Sequence, residues 1–74
     1  MNNKQKVFER VSHMAHSLFK DGYMVRININ ISTFCFIKLK HRKNGSIITI
    51  VGNYDSCIIK LTRDGRVRHT EQVK

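Results

Sequence analysis

The chain contains no proline and no low-complexity run, so nothing in it reads as a linker or a disordered tail. A hydrophobic content of 41% points the same way. There are only two cysteines, Cys35 and Cys57. That is too few for a secreted disulfide scaffold, and their spacing is not that of a zinc site. No apolar leader opens the chain, and no run is long enough to span a bilayer. These absences lead us to expect a soluble, cytoplasmic protein with no membrane role.

Acids are scarce. Five Asp and Glu stand against 14 Lys and Arg, a formal net charge of +9 on 74 residues. That balance favours a polyanionic partner: nucleic acid, an anionic membrane or an acidic protein surface, the membrane being the weakest because the one apolar helix stripe is committed to the core. A chain this short buries only about 60% of its unfolded surface, so its stability is marginal and self-association would help.

The usual marks of catalysis are missing too. There is no Gly-rich phosphate loop, nucleophile elbow or pair of catalytic carboxylates. His13 and His16 follow Glu9 on the polar side of a helix, but the spacing is not the two-histidine zinc motif. No metal, no cofactor and no enzymatic activity are expected.

What is present is a strong pattern. Val7, Phe8, Val11, Met14, Ala15, Leu18 and Phe19 form one helical stripe, which predicts a helix over 4–20. Residues 1–3 read as a frayed start, with Asn2 or Asn3 as cap. Asp21-Gly22 ends the helix. Period-two alternation then predicts strands over 23–30, 34–42, 46–52, 57–62 and 66–70. Asn44-Gly45 and Asp64-Gly65 are two-residue hairpin signals. The expected fold class is α+β: one N-terminal helix packed on one face of a four- to five-stranded antiparallel meander, in a single small domain.

Turn chemistry predicts a register. With Asn44-Gly45 central, Leu39 opposes Ile50, Lys40 opposes Thr49 and Lys38 opposes Val51. With Tyr54-Asp55 central, Ile50 opposes Ile59 and Gly52 opposes Cys57. A three-residue loop at 31–33 sets Val25 against Leu39 and Ile27 against Ile37. A two-residue loop there would pair Ile31 with Phe34 and break the face parity. The core rows become Val25–Leu39–Ile50–Ile59 and Ile27–Ile37–Gly52–Cys57. Both cysteines then point inward, where they are inert packing. Gly52 leaves room for Phe8, Phe19 or Cys57.

The opposite face carries Arg26, Lys38, Lys40 and Lys60 without an acid, and sets Arg26 directly against Lys38. Phe34, Phe36, Ile47, Val51 and Ile58 add apolar area. Cations among aromatics on an open sheet suit phosphate neutralisation and base stacking. Arg26, Lys38, Lys40 and Lys60 are therefore the candidate phosphate contacts, and Phe36 the candidate stacking residue. Three turns fall at one end of the meander and gather Arg42, Lys43, Arg63, Arg66 and Arg68 there, with Lys20 and His41. A basic tip of this kind can clamp a backbone.

The expected function is a nucleic-acid-binding module with little sequence specificity. The alternative is an accessory or inhibitor, of the kind mobile elements carry, docking on an acidic or nucleic-acid-binding surface of another protein. A homodimer through the open face or an edge strand is a third reading. The order of helix then antiparallel meander partly resembles double-stranded-RNA-binding domains. Their closing helix and loop motif are missing, and no residue is carried over.

Overall fold

A computed structural model describes residues 2–74. Met1, part of the expected frayed start, lies outside the described residues. Helix α1 spans Asn3–Lys20. Five strands follow: β1 (Tyr23–Asn30), β2 (Phe34–His41), β3 (Ile47–Asn53), β4 (Ile58–Arg63) and β5 (Arg66–Gln72). They form one antiparallel sheet in the order β1-β2-β3-β4-β5, with α1 packed on one face. The α+β meander expected from the sequence is the observed architecture.

Asn2 caps α1, its Oδ1 accepting the Gln5 N–H at 2.8 Å. Val7, Val11 and Ala15 are buried, with Met14 and Leu18 packed beside them. Phe8 and Phe19 sit at the rim of the stripe, exposed. Across the sheet the core is Cys35, Ile37, Leu39, Ile48, Ile50 and Ile59, closed at its ends by Tyr23 and Tyr54. Gly52 lies under the helix, where Val7 and Val11 approach it. The space over Gly52 is thus filled by valines, not by Phe8, Phe19 or Cys57.

The register differs from expectation at three places. Leu39 faces Ile48 and Ile37 faces Ile50, two residues away from the predicted pairing. The connection is a four-residue loop, not an Asn44-Gly45 two-residue turn: His41 N–H donates to Ser46 O and Gly45 N–H to His41 O. Side chains hold it. His41 Nδ1 accepts the Lys43 N–H at 3.2 Å, and Asn44 Oδ1 accepts the Ser46 N–H at 2.8 Å. The loop after β3 repeats this geometry. Asn53 Oδ1 accepts the N–H groups of Asp55 and Ser56, and Cys57 N–H donates to Asn53 O. Gly52 therefore faces Ile59, and Ile50 faces Leu61. Both shifts are by two residues, so each side chain of β2, β3 and β4 keeps its predicted face.

The third difference changes a face. Ile31 N–H donates to Phe34 O at 3.0 Å, closing the short loop that the parity argument disfavours. A β-bulge between Val25 and Ile27 absorbs the extra residue. Val25 still faces Leu39, but Ile27 now faces Lys38 and Ile29 faces Phe36. Ile27 and Ile29 thereby leave the core face for the open face. Asp64-Gly65 forms the expected two-residue turn, with φ of +51° and +83°. β5 runs two residues further than predicted and has its own bulge between Val67 and His69.

Candidate nucleic-acid interface

The face of the sheet away from α1 is built from four cross-strand rows. Met24–Lys40–Ile47 is one, and Ile27–Lys38–Thr49–Thr62–Val67 the next. Ile29–Phe36–Val51–Lys60–Thr70 follows, and Phe34–Asn53–Ile58–Gln72 closes the face. Lys38, Lys40 and Lys60 lie on this face as expected, and Phe36 lies between Ile29 and Val51. The expected Arg26–Lys38 pair does not form, because Arg26 is the extra residue of the bulge. Each lysine instead has an apolar or threonine neighbour on either side. Its stem can lie on that surface while the ammonium stays in water. The face also shows more apolar area than expected, because Ile27 and Ile29 join it.

No Asp or Glu stands in these rows. The acids are used elsewhere. Glu71 accepts two hydrogen bonds from Arg10, at 2.8 and 3.0 Å, and one contact from His69 at 2.8 Å. The Arg10 guanidinium, with His69 adding, holds the Glu71 carboxyl down at about 2. Among the described residues Arg10 is the one Lys or Arg in an ion pair.

Asp64 shapes the hairpin end. Its carboxylate accepts the Ile47 N–H at 2.9 Å and the Ser46 hydroxyl at 3.0 Å. Those two bonds, with Arg63 and Arg68 nearby, pull its titration below the usual carboxylate range. Arg63 Nε donates to the same Ser46 Oγ at 3.2 Å. The β2–β3 and β4–β5 loops are thus tied into one unit. His41 ties in the helix end: its Nε2 lies 2.9 Å from Asp21 O, and Arg42 N–H donates to Gly22 O at 3.1 Å. The predicted gathering of turns at one end is therefore present, and His41 serves as its brace.

Arg42 and Lys43 project from the β2–β3 loop. Arg63 and Arg66 pair across the Asp64-Gly65 turn on the helix-side face, and Arg68 occupies the β5 bulge. Shallow depressions open here. One, of about 240 Å³, is lined by Lys20, Asp21, Gly22, His41, Arg42 and Lys43. Another, of about 260 Å³, is lined by Met24, Arg26, Lys40, His41 and Arg42. Arg26, Lys40 and Arg42 thus come together at the corner between open face and tip. Lys60 stands apart, beside an apolar hollow of about 300 Å³ with Val51 and Ile58.

Among the described residues no three His, Cys, Asp or Glu side chains are grouped to hold a metal. Among the described residues no helix is long and apolar enough to cross a membrane. Comparison with known proteins adds no relationship: no family model, no curated protein and no solved structure matches this chain.

Proposed function

We propose that the protein is a small nucleic-acid-binding module that holds phosphates across its open sheet face and hairpin end. Its role is binding rather than catalysis. One observation carries this reading: Lys38, Lys40 and Lys60 share a face without a carboxylate, continuous with Arg26 and Arg42 at its corner. Unpaired cations spread over one surface neutralise a backbone and read little sequence. Phe36, between Ile29 and Val51, offers a flat apolar platform for a base.

The test is fluorescence anisotropy of labelled single- and double-stranded DNA and RNA, titrated across salt. Binding that engages about five phosphates gives a log–log salt slope of roughly −4.5 on a duplex. Lys38→Glu with Lys40→Glu should weaken binding at least ~10-fold at moderate salt while the fold is kept, since both side chains point outward. Unchanged binding in that variant, or a flat salt response, would sink the proposal.

The hollow beside Val51 and Ile58 favours a second reading. An apolar patch rimmed by Lys60 also fits a protein-binding accessory or inhibitor docking on an acidic surface. Such a complex would resist salt better than a nucleic-acid complex.

A further inference from the structure

The sheet has two free edges, β1 and β5, and their chemistry differs. β5 carries Arg66, Arg68, His69 and Glu71 and is interrupted by a bulge. Charge and a bulge are the common protections of a free edge. β1 has a bulge as well, but one charged residue, Arg26, in eight. Met24, Val25, Ile27, Ile29 and Ile31 along it are each 41–56% exposed. They stand on both sides of the strand: Val25 on the helix side, Met24, Ile27 and Ile29 on the open side.

The helix extends this apolar strip. Phe8 and Phe19 are 40% and 44% exposed and are separated by three helical turns, so they share one flank of α1. The opposite flank is fixed by Arg10, which reaches Glu71 on β5. The phenylalanine flank therefore lies toward the β1 side, and Phe19 lines a depression with Gly22, Tyr23 and Met24, rimmed by Lys20 and Arg42.

We propose that β1 pairs antiparallel with β1 of a second copy, joining two sheets into one of ten strands. Three features select a second copy over another occupant. An antiparallel strand pair closes under a two-fold axis and leaves no apolar edge to propagate. That axis is normal to the sheet, so both helices stay on one face. The Phe8–Phe19 flank then meets its counterpart above the sheet while Ile27 and Ile29 meet theirs below. A lone extended peptide would cover the backbone edge but not both layers. Finally, β1 starts at the cationic end and runs away from it, so the antiparallel arrangement sends the two cationic ends to opposite tips.

The register follows from hydrogen bonds already made. Ile31 spends its N–H on Phe34. By alternation, Asn28 and Asn30 turn their backbone groups outward. An axis through Asn28 sets Ile27 against the partner's Ile29 and Arg26 against the partner's Asn30, keeping the two arginines apart. The exposed parts of the seven apolar side chains amount to on the order of 1,000 Å² for the pair, the size at which specific interfaces begin.

The test is the mass in solution without nucleic acid, by sedimentation equilibrium up to the millimolar range. The 8.7 kDa chain should approach twice its mass as concentration rises. Ile27→Lys with Ile29→Lys should stay monomeric with unchanged circular dichroism, and Val67→Lys near the other edge should still dimerise. Asn28→Cys should give a disulfide-linked dimer on mild oxidation, a readout that does not depend on how the lysine variant folds. A wild-type chain monomeric throughout would overturn the proposal and leave the edge to a strand of another protein. A β1 variant that still dimerises, or an Asn28→Cys chain that does not cross-link, would also overturn it.

Discussion

Gly52 marks the closest approach of helix to sheet. A Cβ at this position would lie 2.6 Å from Val7 Cγ1, 2.9 Å from Val11 Cγ2 and 3.1 Å from Cys35 Sγ. None of these neighbours is the far end of a flexible chain, so a methyl must push α1 off β3. Gly52→Ala should cost about 1–3 kcal/mol in urea unfolding, the range for overpacking a closed core. Adding Val7→Ala should recover part of that loss, because it removes the nearest methyls. Full stability in the single variant would mean that the helix seats loosely. Cys57 presents the opposite case. It holds φ at +60°, in the place that Gly45 fills at +74° in the preceding loop. A left-handed conformation costs an L-residue about 1 kcal/mol, and more when the side chain is β-branched. Cys57→Gly should therefore be at least as stable as wild type, despite losing the sulfur's packing against the core. Cys57→Val should be destabilised, and thermal melts of the two variants would rank them. The reverse order would show that packing by the cysteine outweighs backbone strain.

At the scale of elements, one ion pair fastens the helix to the far edge of the sheet. Arg10 and Glu71 are 61 residues apart in sequence, and His69 completes the cluster. Glu71 titrates below its ordinary value in the folded chain, so its contribution is present above about pH 4.5. It is lost as pH falls toward about 2, where the folded carboxyl takes up its proton. With the arginine partly exposed and screened, the pair stabilises by about 1 kcal/mol. Arg10→Gln should lower stability by that amount at pH 7 and by much less at pH 2.5. An equal loss at both pH values would assign the effect to packing of the arginine stem.

The periods of 3.6 and 2 made every element readable from residues alone, because Val7, Val11 and Ala15 or Cys35, Ile37 and Leu39 leave one choice of face. The registers were less legible. Asn44-Gly45 carries the signature of a two-residue turn, yet the His41 ring and the Asn44 amide together stabilise a four-residue loop. Tyr23, Val25, Ile27 and Ile29 alternate as one face, and nothing in that alternation reveals a bulge at Arg26. The lysines of the candidate site kept their side because both loop errors were even-numbered. The apolar edge of β1 could not be foreseen, since it depends on the bulge and on which flank of α1 is left uncovered.

For the molecule as a whole, charge opposes compactness. A net charge of +9 is held within a radius of gyration of 11.8 Å, and Arg10 is the one Lys or Arg with a carboxylate partner among the described residues. Most pairs of charges then lie within a few Debye lengths of about 10 Å at 0.1 M salt, so repulsion acts across the chain until salt screens it. Raising sodium chloride from low to moderate concentration should raise the melting temperature, with sulfate or phosphate doing so at lower concentration. Screening also weakens the Arg10–Glu71 pair, but that is one attraction against many repulsions, and the net sign is stabilising. A melting temperature that falls with salt would mean that attractive pairs dominate and that the cations are not crowded. The same logic separates the two proposed interactions. Two like-charged chains should associate more tightly as salt rises, because the β1 contact is apolar and the opposing force is screened. Nucleic acid should be released over the same range, as counterions return to its phosphates. Sedimentation and anisotropy across one salt series should therefore run in opposite directions. Parallel loss of both would mean that charged contacts, not the apolar β1 pairing, hold the dimer.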